Sequence, residues 1–165
     1  MKKVLQSIID KDHGDCMRAV WASILEIPLM EFPDLNGDDW FHIEYNYLRE
    51  RWYCSTSIMK GKHDTEMLKK IARFDNGVNG FLYASVPSQT FPNVTHAVVV
   101  DTDLNIVHDP NPNQKALLLK PEDVLGIVVM HDMRIGKTGK LFTIKEWEEA
   151  SQEERDINTY KIGDK

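Results

Sequence analysis

Between Cys16 and Glu26 the chain offers almost nothing to water. Met17, Ala19, Val20, Ala22, Ser23, Ile24 and Leu25 fill nearly every face of the helix that this stretch predicts. A surface helix keeps a polar face beside its apolar stripe, whereas one that is apolar or small all round has to be buried. The rest of the chain must therefore be wrapped around this helix. A polar turn, Asp12 to Asp15, stands directly before it, so Cys16 falls at the helix start behind a glycine and an acid. The other cysteine, Cys54, follows Trp52 and Tyr53. It reads as core, since a buried cysteine is ordinarily a small apolar residue.

Pro28 and the stretch from Pro33 to Asp38 mark loops. Trp40 to Tyr53 is predicted as a second helix, with Phe41, Tyr45, Leu48 and Trp52 at helical spacing. The aromatic residues here are expected mostly in the core, some of them lining a groove. Asp64 is placed to cap a third helix that runs to Phe74. Asn76-Gly77 and Asn79-Gly80 read as turns, and beyond them the pattern changes to strands. Phe81 to Val86 is one, ending at Pro87; Ala97 to Val100 and Leu104 to His108 form a hairpin around Asp101-Thr102-Asp103; Gly126 to His131 is another. Residues 3–9 are expected as an edge strand. A short strand at 141–144 and a surface helix over 144–154 complete the prediction, the helix capped by Thr143 and acidic from Glu146 to Glu154. The tail, about 156–165, is polar. Helices first and strands after is an α+β layout. A length of 165 residues with 42% hydrophobic content fits one domain, 1–165, with a real core.

Net charge is −6, which argues against a protein that grips a nucleic-acid backbone. No apolar run approaches the roughly 20 residues of a membrane-spanning helix, and the apolar part of Met1 to Asp10 is too short for a signal peptide. The expectation is a cytoplasmic protein with neither a membrane nor a nucleic-acid partner, in which two cysteines do not make a disulfide framework. His13, Asp15, Cys16, His96 and Asp109 are metal-ligating types, but no pair shows the Cys-x-x-Cys kind of spacing. No metal and no cofactor is expected. Gly136 to Lys140 lacks the spacing of a phosphate-binding loop.

The chemistry rests on three residues. A thiol attacks only as its thiolate, and a helix N-terminus favours that charge through its unsatisfied N–H groups and its dipole. Cys16 stands there. His96 opens the valine strand and is the candidate to take and return a proton. Asp109 ends the following strand, at a spacing suited to neighbouring strands joined by a short turn, and is the candidate to orient His96. His108, one residue before Asp109, is expected on the opposite strand face, at the surface or rim.

The segments GDCMRAVWASILEIP and HAVVVDTDLNIVHDPNP resemble the two motifs of the double-glycine leader peptidases, bacteriocin-processing enzymes of the papain-like superfamily. The resemblance covers the Cys16 helix and residues 95–112. It implies a papain-like cysteine-protease fold, with the nucleophile on an N-terminal helix packed on an antiparallel sheet. It implies Cys16 as nucleophile, His96 as base and Asp109 as orienting acid, and hydrolysis or acyl transfer at a peptide, isopeptide or amide carbonyl of a peptide or protein substrate. The family usually carries a glutamine a few residues before the cysteine to stabilise the oxyanion. Here the upstream glutamine is Gln6, ten residues before Cys16, and His13 and Asn111 are the alternatives. The transporter membrane region and ATPase that usually accompany leader peptidases are not in these 165 residues, so a task other than leader processing is expected. The competing expectation is a phage or bacterial effector that holds a peptide or protein in the same cleft without turning it over.

Overall fold

The strands carry apolar residues on both faces. The computed structural model, which describes residues 1–51, 53–62, 64–75 and 79–132, has a covering layer on each side. The architecture is α+β. Helices α1 (Cys16–Ile24) and α2 (Trp40–Arg49) come first, then strand β1 (Tyr53–Met59) and helix α3 (Thr65–Asp75). Strands β2 (Leu82–Pro87), β3 (Thr95–Val100), β4 (Ile106–His108) and β5 (Gly126–Asp132) follow. The sheet order is β1-β5-β2-β3-β4. β2 pairs antiparallel with both β3 and β5, and β3 with β4. Among the described residues no helix is long and apolar enough to cross a membrane.

Alternation along the strands sorts the core into two layers. On one face Tyr83, Ala97, Val99 and Met130 pack against Val20, Trp21, Ala22 and Ile24 of α1 and Leu48 of α2. On the other, Leu82, Ala84, Val86, Val98, Val100, Ile127 and Val129 pack against Leu68 and Ala72 of α3. Central strands covered on both sides read as continuous apolar runs, and that is the form of Val98-Val99-Val100. Burial on every side of α1 is realised as expected: Ala19, Val20, Trp21 and Ala22 are all 0% exposed. Trp21 stacks on Tyr83 with ring centroids 5.5 Å apart, which ties α1 to β2. Asp64 Oδ1 accepts the Met67 N–H at 2.7 Å, the cap foreseen for α3. Met1–His131 make one compact unit.

Four expectations are corrected. Residues 3–9 form no strand; they run as an irregular segment held across α1 and β4. The Val4 N–H bonds Ser23 Oγ at 3.0 Å, and the Val4 carbonyl accepts from His108 Nε2 at 2.8 Å. His108 is therefore buried, 2% exposed, and not a rim residue. The second helix stops at Arg49, and Tyr53 opens β1 instead of closing the helix. The aromatic stripe of α2 is largely outward: Phe41 is 54% exposed and Tyr45 42%, while Leu48 and the acid Glu44 are the buried positions. The Asn76-Gly77 turn, Trp52, Gly136 to Lys140, the strand at 141–144, the helix at 144–154 with its Thr143 cap and acidic face, and the polar tail lie outside the described residues.

Candidate active site

Each residue of Gly14-Asp15-Cys16 has a separate physical task. Gly14 passes so close to the 9–14 turn that an added Cβ would meet the Asp10 carbonyl oxygen at 2.6 Å, so a side chain there has no room. Asp15 occupies the N-cap position of α1, yet its carboxylate makes no cap bond. It turns back instead to accept the Ser7 N–H at 3.0 Å, the Ser7 hydroxyl at 2.7 Å and the Ile8 N–H at 2.9 Å. The acid thus clamps the N-terminal segment and leaves the first-turn N–H groups of α1 uncapped by its side chain. Cys16 is the first helical residue after it.

Asp15→Ala is expected to cost about 2–4 kcal/mol, because two backbone N–H groups and a hydroxyl lose a buried acceptor. Urea unfolding of the full chain measures it. A loss below about 0.5 kcal/mol, the range of an ordinary surface substitution, would mean that the clamp holds nothing.

His96 sits near the start of β3, and Asp109 directly follows β4, its antiparallel neighbour. His96 Nε2 lies 2.8 Å from Asp109 Oδ1. That leaves Nδ1 as the ring nitrogen able to serve Cys16, whose thiol is near enough to His96 for each to favour the other's charged form. The imidazole thus stands between thiol and carboxylate, bonded to the carboxylate. Asp109 is itself fixed by the backbone: Oδ1 also accepts the Asn111 N–H at 2.8 Å, and Oδ2 accepts the Ala116 N–H at 2.9 Å. The Asp-Pro-Asn turn and the short helical turn Lys115–Leu118 set the angle of the carboxylate. His96 in turn takes its angle from Asp109.

The electrostatics favour a charged pair. Burial alone would push the Cys16 thiol up. The hydrogen bond and positive charge of His96, helped by the N–H groups of Ala97 and Met17, outweigh burial and hold the thiol below its ordinary value. Burial alone would push His96 down, but its bonds to Asp109 and Cys16 and their negative charges raise it to about 9. Asp109, against the pull of burial, is held below the usual carboxylate range by His96 and by the Ala116 and Asn111 N–H groups. Thiolate, imidazolium and carboxylate are one coupled set.

Cys16 and His96 open onto a cleft of about 160 Å³ that Gln6 and Asn111 also line. The Gln6 backbone N–H bonds the Pro110 carbonyl at 2.9 Å, which docks the N-terminal segment beside Asp109. The Gln6 side-chain Nε2 donates to the Ile8 carbonyl at 2.9 Å, while its buried Oε1 has no partner. The irregular turn between Gln6 and Cys16 lets the glutamine reach the cleft despite its long spacing. The Asn111 side-chain Nδ2 makes a 3.4 Å contact to Oγ1 of Thr90, which also lines the cleft. His13 is not brought to the site. It lies on the exposed turn with its side chain 76% exposed and its Nδ1 3.4 Å from Asp10 Oδ1, so it is set aside as an oxyanion donor.

Among the described residues no three His, Cys, Asp or Glu side chains converge as metal ligands. Two buried acids have placements that the sequence pattern does not show. The clamping task of Asp15 has no local signature beyond its place before Cys16. Glu44 carried a weak signal, as the one acid in the i, i+4 series Trp40, Glu44, Leu48. No family model, no curated protein and no solved structure matches the chain.

Proposed function

We propose that this protein is a papain-like cysteine hydrolase or acyl-transfer enzyme acting at a peptide, isopeptide or amide bond of a peptide or protein substrate in the cytoplasm. What supports it most is a single observation: one imidazole, His96, lies 2.8 Å from a buried, backbone-fixed carboxylate on one side and stands close enough to a helix-start thiol on the other to favour its charged form. The resemblance of the two motifs agrees with it.

In this mechanism the Cys16 thiolate attacks the substrate carbonyl carbon, and the C=O electron pair moves to oxygen. The oxyanion accepts from the Cys16 N–H and from the Gln6 amide, whose second Nε2 hydrogen is not used by Ile8. Collapse of the tetrahedral adduct breaks the C–N bond, and the amine leaves with the proton from His96 Nδ1. Water or another nucleophile then gives its proton to His96, attacks the thioester and releases the thiolate. Asp109 stays ionised throughout, keeping the ring in place and stabilising the imidazolium.

A specific observation favours a second reading, a binding or effector protein on the same cleft: Gln6 Nε2 already donates to Ile8. An activated peptidyl ester separates the two. Incubated with a peptidyl p-nitrophenyl ester, the full chain is expected to release nitrophenolate and to carry one acyl group on Cys16, mapped by mass spectrometry. The group should then discharge to water. Cys16→Ala should abolish both. Acylation of Cys16 no faster than that of Cys54 would remove the hydrolase reading, and a stable acyl-Cys16 would favour the binding one.

A further inference from the structure

A second cavity of about 170 Å³ adjoins the catalytic cleft. Met17, the residue after the nucleophile, and Tyr83 line both, so the two share a wall. The exposed lining of the second cavity is aromatic and thioether: Trp40 and Phe41 stand edge to face with centroids 5.8 Å apart, and Met59 lines it with them. Inside is Glu44, which is 5% exposed.

A buried carboxyl is ordinarily matched by strong donors. Glu44 has little of this. Ser55 Oγ reaches Oε1 only at 3.4 Å. The Trp21 indole N–H is near enough to favour the charged form, yet it meets no full hydrogen-bond geometry. No lysine, arginine or histidine lines the cavity among the described residues. Burial accordingly holds the Glu44 carboxyl above the usual range. An under-bonded carboxyl behind aromatic faces fits a side chain with a long apolar stem and a cationic end: the stem lies on Met17 and Met59, the cation passes the rings, and its N–H groups meet the acid.

We propose that this cavity is the substrate side-chain pocket and takes a lysine or arginine from the acyl side of the scissile bond, with Glu44 as its counter-charge. The proposal rests on the cysteine-hydrolase reading above. It assigns specificity, not chemistry, to Glu44.

Matched dipeptidyl chloromethyl ketones test it on the full-length chain. They carry arginine, lysine, norleucine or glutamate at either of the two acyl-side positions, and loss of chloride leaves a thioether on Cys16. At one of these positions the arginine and lysine probes should alkylate Cys16 about tenfold to a hundredfold faster than norleucine, the size of a desolvated charge-assisted hydrogen bond. Glutamate should be slowest. In Glu44→Gln the arginine-to-norleucine ratio should fall towards one. Agmatine should protect wild-type Cys16 from the arginine probe, a readout that stands if the variant does not fold. Equal rates for arginine and norleucine at both positions, or an arginine preference that survives in a folded Glu44→Gln chain, would overturn the proposal. Iodoacetamide, which carries no side chain, keeps the two levels apart. If it labels Cys16 fast while arginine gives no advantage, the pocket assignment alone fails. If it labels Cys16 no faster than Cys54, the hydrolase reading fails beneath it.

Discussion

Replacing Asp109 by asparagine is expected to slow acylation of Cys16 by about a hundredfold to ten-thousandfold. The change is nearly isosteric, so its effect is electrical and orientational. Asp109 faces three donors: His96 Nε2 and the Asn111 and Ala116 N–H groups. An asparagine has one acceptor oxygen. If that oxygen keeps His96 and Asn111, its NH₂ points at the Ala116 N–H, donor against donor. If it turns to Ala116, the NH₂ faces His96 Nε2 and drives the proton to Nδ1, the nitrogen that should meet the thiolate as imidazolium. Either orientation removes the negative charge that helps hold His96 near 9. A folding cost of about 1–3 kcal/mol should accompany the loss of rate. Nitrophenolate release from the peptidyl ester gives the rate, and urea unfolding gives the cost. A folded Asp109→Asn chain whose acylation rate falls by less than about tenfold would reduce Asp109 to a turn residue.

The parts of this site that are legible in the sequence are those encoded locally. The burial of α1 is written in eleven consecutive residues, 16–26, with no polar face, and Cys16 inherits its place from where that pattern begins. The β3–β4 hairpin is likewise local: two apolar runs about an Asp-Thr-Asp turn, with His96 and Asp109 delivered to the same end of it. What is hidden depends on contacts between distant segments. The segment 3–9 is apolar and looks like a strand, but its backbone is satisfied by Ser23, 19 residues from Val4, and by His108, 104 residues away. The inward turn of His108 has the same origin, because its ring serves a carbonyl from the far end of the chain. The α2–β1 boundary is concealed for a different reason. Trp52 and Tyr53 continue the helical spacing of Phe41, Tyr45 and Leu48. β1 itself, with Ser55, Thr56 and Ser57, is an only partly buried strand at the end of the sheet, and its burial alternates only from Thr56 to Met59. Glu44 is hidden by its neighbours: a stripe of aromatics marks an expected core face, and the acid proves to be the buried member.

The pH behaviour of the thiol follows from Cys16 and His96 together. The Cys16 thiol is held below its ordinary value, so thiolate is present at pH values where a free cysteine is still protonated; it is lost as pH falls through the lowered value. His96 is raised to about 9, so its imidazolium persists through neutral pH and is lost as pH rises through about 9. The pair is therefore complete between those two limits. Replacing His96 by alanine removes the hydrogen bond and the charge that oppose burial, and should return the thiol midpoint to the ordinary value or above it.

The most direct measurement is the rate of iodoacetamide alkylation of Cys16 and Cys54 in the same full-length chain across pH, each cysteine followed by its own peptide. The thiolate–imidazolium pair predicts that Cys16 reacts faster than Cys54 at neutral pH, with a midpoint below that of a free thiol that His96→Ala moves upward. Two cysteines labelled at equal, slow rates, or a Cys16 midpoint at the free-thiol value that His96→Ala leaves in place, would contradict it.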